Sequence, residues 1–289
     1  MPLVFAAVAP HGFPIIPALS DDAEGALATR AAMAELGRRS AAAGVEVLVI
    51  AGPHGIRVDG TVCLADTARA AGALAWKDRR VELNVPLDGP LTTAVAAAAR
   101  SVGVPVALAG FAGNRRDQST VPLDWGLLTP LWFLGHGENM TGHGDVLAEP
   151  PAADIGPPVV IVTPSRTLPR AMLVAFGRAV AEAAEADGRR VGLVASCDWG
   201  HAHRADGPYG FHPKAAEVDA RVVEAIGAGE PLRLLDLSDD DAAAAAIDGL
   251  WQTLVLGGVL ERVPMRAEVL CYEAPSYYGM LTAVFSLRD

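Results

Sequence analysis

The chain reads as short apolar runs alternating with longer amphipathic stretches. Leu3 to Ala9 (LVFAAVA), Val45 to Ile50 (VEVLVI), Val104 to Ala109 (VPVALA), Pro158 to Pro164 and Val191 to Ala195 are apolar runs of strand length. Near-continuous apolarity over so few residues marks strands covered on both faces, as in a parallel sheet. Asp21 to Ala43, Leu91 to Val102, Pro169 to Asp187, Ala215 to Ile226 and Asp239 to Leu260 carry helical spacing. The last of these is drawn as one helix ending at Gly257-Gly258, and Gly44 is placed to cap the first. Thr61 to Pro90 predicts an edge strand near Val62 and a hairpin or extended arm around Val81 to Val85. Glu230 to Leu235 reads as extended, and Glu268 to Phe285 as a final strand system broken near Pro275 and Gly279.

Asp117 to Gly135 opens polar and turns apolar and aromatic, which predicts a loop leading into a buried helix over the site. His136 to Pro158 is rich in Gly, Pro and acids and reads as a long surface loop. No repeat of solenoid length appears. The alternation predicts an α/β fold: a single domain over 1–289, with a central mixed, mostly parallel sheet flanked by helices. Its active site is expected at the C-terminal ends of the strands.

Hydrophobic residues make up 51% of the 289 and charged residues 20%, enough for a sizeable core. The net charge of −11, with no basic cluster along one helix, argues against nucleic acid or an anionic membrane as partner. Cys63, Cys197 and Cys271 are odd in number, far apart and free of CxxC spacing. A disulfide framework and a structural zinc site are therefore not expected. The apolar N-terminus lacks a basic leader region and is interrupted by prolines, and no run of about twenty apolar residues occurs. A cytoplasmic protein is the expectation.

The titratable residues are unevenly placed. Of seven histidines, three (His201, His203, His212) fall in Ser196 to Pro213, SCDWGHAHRADGPYGFHP, just past a strand. Two more, His11 and His54, sit in near-copied closures of the first two strands, APHG and GPHG. Two histidines at strand ends plus one carboxylate make the facial set that holds Fe(II) and leaves positions for substrate and O₂. Glu273 of the final strand, with Glu268 as fallback, is the candidate carboxylate. By spacing alone the alternative is equally open: His11 and His54 as hydrogen-bonded loop residues, and Glu273 as a cap or an arginine partner. The same donors also suit Zn²⁺ with a position left for water, the chemistry of a hydrolase. Arg115 and Arg116 are read as a solvated pair or a clamp for a substrate carboxylate. His136 and His143 are expected on the surface.

The ordered motifs VAPHG, VIAGPHG, LDWGLLTPLWFLG, SCDWGHAH and YEAPSYYGMLTAVF run from residue 8 to residue 285. As a set they resemble the class III (LigB-type) extradiol ring-cleavage dioxygenases. The resemblance implies Fe(II), with Zn or Mn as substitutes in isolated protein, together with O₂ and a small aromatic diol or aminophenol. It implies His11, His54 and Glu273 as metal ligands and His201 as acid/base, with His203 as an auxiliary. Trp125, Tyr209 and Phe211 are placed in the substrate pocket, and a homo-oligomer is expected. One departure stands out: Asp124-Trp125-Gly126 occupies the place of the Asp-His-Gly found in many members. Trp125 can stack on a ring but cannot shuttle a proton, so His203 or His212 becomes the candidate replacement. A non-enzymatic, MEMO-like binding protein on the same fold is the third reading.

Overall fold

Seven consecutive apolar residues form the first strand, and all seven are buried. This computed structural model describes residues 2–12, 15–20, 26–111, 113–137 and 153–288. In chain order the first strands and helices are β1 (Leu3–Ala9), α1 (Leu27–Ala42), β2 (Val47–Ala51), β3 (Val62–Ala65), β4 (Arg69–Trp76), β5 (Arg79–Pro86) and α2 (Gly89–Ser101). There follow β6 (Val106–Ala109), β7 (Thr120–Pro122), α3 (Trp125–Leu131), β8 (Val159–Pro164), α4 (Arg170–Asp187) and β9 (Val191–Ser196). The chain closes with α5 (Lys214–Gly227), α6 (Asp239–Ala245), α7 (Leu250–Arg262), β10 (Met265–Glu273) and β11 (Met280–Leu287).

Eight strands make one mixed sheet in the order β10-β11-β1-β9-β2-β8-β3-β6. Its centre, β1-β9-β2-β8, is parallel throughout, while β11 joins β1 and β3 joins β8 antiparallel. A smaller three-stranded sheet, β5-β4-β7, packs beside it. Successive residues of a central strand enter opposite cores, as the two-residue period requires, except at Val4 and Phe5, where the pairing of β1 with β9 shifts register. Leu3, Ala6 and Val8 face a core with α2, α4, α5 and α7, whereas Val4, Phe5, Ala7 and Ala9 face α1, α3 and the small sheet. Burial on both faces explains why these strands are nearly free of polar residues. Among the described residues no helix is long and apolar enough to cross a membrane.

Three sequence expectations change. β3 lies between β8 and β6, not at an edge. Pro231–Asp236 is a 3₁₀ helix and not an extended segment: Pro231 opens it, and Pro231 and Leu234 are buried. The helix expected over Asp239 to Leu260 is two helices, and the break between them sets up the site. Ala246 takes φ 53°, Ile247 N–H turns back to the Ala242 carbonyl at 3.2 Å, and α7 restarts after Gly249. Gly249 is required there, because an added Cβ would come 2.6 Å from Cys197 Cβ at the end of β9. Cys197 is buried and its Sγ contacts the Gly249 carbonyl at 3.3 Å, so this thiol supports the break. Burial pushes its pKa well up, away from thiolate chemistry.

Candidate metal centre and cavity

The parallel strands β1, β2 and β9 end together, and the residues just beyond them converge. His11 follows β1 and is 1% exposed. Its Nδ1 lies 3.1 Å from Ser196 Oγ, and that hydroxyl donates to the Gly126 carbonyl. A serine has one proton to give, so Ser196 must accept from His11 Nδ1–H. In the neutral ring the bare lone pair is therefore on Nε2. That nitrogen points at two carboxylates, Asp198 Oδ2 at 3.3 Å and Asp248 Oδ2 at 3.4 Å. A lone pair facing two anions is unfavourable unless a cation stands between them. Gly12 beside His11 is also needed, since an added Cβ would lie 2.2 Å from the Tyr278 hydroxyl.

His54 follows β2 and is half-buried, with Nε2 3.9 Å from Asp248 Oδ2. Its ring lies 4.4 Å from that of Trp125, tilted by 38°. Trp125 opens α3, where Asp124 caps the helix by accepting from Gly126 N–H at 2.7 Å. Asp248 comes from the break between α6 and α7 and is locked by the Asp198 N–H, which donates to its Oδ1 at 3.0 Å. One ligand atom each from His11, His54 and Asp248 lie within 4.8 Å of one another. Two imidazoles and a carboxylate in that radius fit a divalent transition metal with positions left open. Asp198 is held next to them by the His11 N–H at 3.1 Å.

The two carboxylates are not equivalent. Burial raises the pKa of Asp198, and nearby positive charge on His11 offsets only part of that. Burial also opposes ionisation of Asp248, but His11, His201 and His54 all surround it and bring its pKa below the usual value. Asp248 is thus the more acidic of the pair. The histidines diverge as well. Burial alone would lower His11, yet Asp198 and Asp248 reverse this and raise it to about 9. His54 is lowered to about 4 by burial and then by the charge of His11.

The carboxylates expected from the final strand are elsewhere. Glu273 ends β10 at the sheet edge, and its Oε1 accepts from Thr29 N–H at 2.8 Å, in the first turn of α1. That helix has no side-chain cap of its own, so Glu273 supplies the missing acceptor. Glu268 grips Arg39 at 2.6 and 3.1 Å. Asp248 was missed because the alanine-rich run was drawn straight through it. The Asp248-Gly249 dipeptide was the available signal, since Asp-Gly marks turns.

His201 approaches the same carboxylate, with Nε2 3.9 Å from Asp248 Oδ2. Its ring lies nearly parallel to that of Tyr278, at 5.6 Å and 21°, and edge-on to Tyr209 at 5.5 Å. Its Nδ1 is buried with no hydrogen-bond partner among the described residues. His203 faces away from this group: Nε2 is 2.8 Å from the buried Asp219, which also accepts from Gly200 N–H and the Tyr272 hydroxyl. This network anchors the loop that carries His201. His212 is exposed and caps α5 through Lys214 N–H. Phe211 is 64% exposed and pairs by its backbone with His203. Arg115 and Arg116 are paired with Asp117 and Asp66. His136 is fully buried, contrary to the surface expectation, and burial lowers it to about 4. His143 lies outside the described residues.

His11, His54, Asp248, His201, Trp125 and Tyr209 all line one cavity of about 1310 Å³. Comparison with known proteins adds the family. The model described as "Catalytic LigB subunit of aromatic ring-opening dioxygenase" matches residues 6–285. The chain belongs to the LigB family. Among curated proteins this LigB chain is 26% identical over 231 residues to Protein CA_C1420 of Clostridium acetobutylicum. That match covers 78% of the chain but 45% of the relative, so the chain spans under half of that protein's length. Among solved structures it is similar to JW3007 from Escherichia coli K12, with a TM-score of 0.60 at 16% identity. The superposition covers 97% of this LigB chain and 99% of that one, and shows a shared fold.

Proposed function

We propose that this protein is a non-haem Fe(II)-dependent extradiol dioxygenase that opens a catechol-like or aminophenol-like ring with O₂. The observation that carries the reading is the His11–His54–Asp248 cluster, its donors within 4.8 Å, at the floor of a cavity that also presents His201. The donor set suits a metal because His11 Nε2 and the Asp248 carboxylate face each other across a gap that a proton on Nε2 fills in the metal-free protein and that a divalent cation can take in its place. Fe(II) held by His11, His54 and Asp248 would supply the Lewis-acid and one-electron chemistry that makes a ring diol reactive toward O₂.

The chain's own residues do the rest. The Ser196 hydroxyl fixes the His11 tautomer so that Nε2 is the ligating nitrogen. Tyr278, stacked behind His201, holds the imidazole in one plane. His201 takes a proton from a ring hydroxyl as the substrate binds and returns it when the ring opens, the role for which imidazole is suited near neutral pH. Trp125 offers an aromatic wall beside His54, in place of a second proton carrier. The proton transfer is therefore assigned to His201. Asp198, raised by burial, stays close enough to His11 to steady it.

The test is O₂ uptake with anaerobically Fe(II)-loaded protein on a panel of catechols and aminophenols. One O₂ consumed per ring opened is expected. No uptake with any ring substrate would overturn the reading, and hydrolytic activity retained without O₂ after zinc loading would replace it with a zinc hydrolase.

A further inference from the structure

The cavity is lined by more than the histidines and their carboxylates. Arg166, on the turn after β8, and Trp251, in the first turn of α7, both line it. The guanidinium carbon of Arg166 lies 4.5 Å from the centre of the Trp251 ring. Trp251 follows Asp248 by three residues, so the same helix break delivers a carboxylate to the histidines and an indole to Arg166.

Two arginines reach this wall, and they differ. Arg170 is fully engaged, bonding the Leu235 and Leu237 carbonyls and the Asp239 carboxylate. Arg166 forms no ion pair with a carboxylate among the described residues and stacks on Trp251. A guanidinium laid on an indole loses little hydration, is fixed in plane, and leaves its N–H edge free for a bidentate anion. The other acid on this wall, Asp236, is solvent-exposed and so weakly felt. At about 1310 Å³ the cavity exceeds what a single ring needs, by the common range of about 300–1000 Å³ for ligand sites.

We propose that Arg166, held flat on Trp251, is the specificity-determining residue of the cavity: it receives a carboxylate carried by the ring substrate and selects anionic rings over neutral ones. This rests on the ring-opening reading for its substrate, but the anion site itself can be tested without turnover. Benzoate and its neutral isostere benzamide are titrated into the metal-free full-length protein by ligand-observed NMR. The wild type is expected to bind benzoate at least tenfold more tightly than benzamide. Arg166→Gln should erase that preference and Arg166→Lys restore part of it, with thermal midpoints unchanged because the side chain is exposed. In Fe(II)-loaded protein the kcat/KM ratio of 3,4-dihydroxybenzoate to catechol should fall at least tenfold in R166Q, through KM. A benzoate preference that survives R166Q, or is absent from the wild type, overturns the proposal. If the preference obeys Arg166 but neither ring is opened, the anion site stands and the dioxygenase reading falls.

Discussion

His11 and His54 close two parallel strands that flank β9 with almost the same four residues, yet the fold makes them electrostatic opposites. His11 is fully buried between Asp198 and Asp248 and is raised to about 9; His54 is half-buried beside Trp125 and is lowered to about 4. Both lose hydration, which disfavours the cation in each. The difference is the distance to carboxylate: two oxygens at 3.3 and 3.4 Å for His11, one at 3.9 Å for His54. A repeated motif therefore fixes where a side chain is placed but not its protonation. That is set by the residues that long-range folding brings opposite it.

The comparison is broken most severely by removing its source of asymmetry. Asp248→Asn should abolish iron retention and lower turnover by roughly a thousandfold or more, because a ligand and the local negative charge go together. Metal analysis after Fe(II) loading checks this, and stoichiometric iron in the variant would sink the assignment of Asp248. His201→Ala is expected to lower kcat by about 10²–10⁴-fold with iron retained. Loss of iron in that variant would move His201 from proton transfer to the metal itself.

Much of this was legible in the chain. Central strands buried on both faces have little room for polar residues, so β1, β8 and β9 were marked by composition to within one residue. His11 and His54 were found because strand ends followed by glycine are local features. Asp248 was not, since its importance comes from a helix break whose cause is nonlocal: Gly249 must pass against Cys197, the residue after β9. Glu273 looked equally suitable in sequence, yet an edge strand delivers it to the uncapped start of α1. Arg166 carries no local signal either, because its role depends on Trp251, 85 positions away, lying beneath it.

The opposite protonation of the two histidines predicts a particular proton count. At pH 7 the metal-free protein holds a proton on His11 and none on His54, so loading a divalent metal should release one proton, from His11. Apparent affinity should rise about tenfold per pH unit up to pH about 9 and then level off. Calorimetric titration in buffers of different ionisation enthalpy measures the count. Two protons released at pH 7 would mean that His54 is also charged, and the contrast would be lost.

Stability of the metal-free protein should show the same contrast with opposite signs. The folded-state pKa of His11 lies above its unfolded value of 6.5, so its contribution is complete below pH 6.5 and is lost as pH rises through about 9. At about 1.4 kcal/mol per unit, this is of the order of 3 kcal/mol. His54 lies below its unfolded value, so its stability is present above pH 6.5 and lost as pH falls toward about 4. Urea unfolding from pH 5 to 9.5 should lose its alkaline decline in His11→Gln and keep it in His54→Gln.

The smallest effect separates the carboxylate that the fold places at the site from the one it places at a helix end. Glu273→Gln keeps an oxygen that can accept from Thr29 N–H but gives up the negative charge at the start of α1. A charge at a helix N-terminus contributes about 0.3–1 kcal/mol, so a loss in that range is expected, with iron content unchanged. Glu273→Ala removes the acceptor as well and should cost about 1 kcal/mol or somewhat more. Iron loss in either variant, with the unfolding midpoint unmoved, would return Glu273 to the metal and make Asp248 its outer neighbour. Retained iron with a lowered midpoint fits the geometry, in which an edge strand's acid serves the helix it reaches and the broken helix supplies the carboxylate beside His11 and His54.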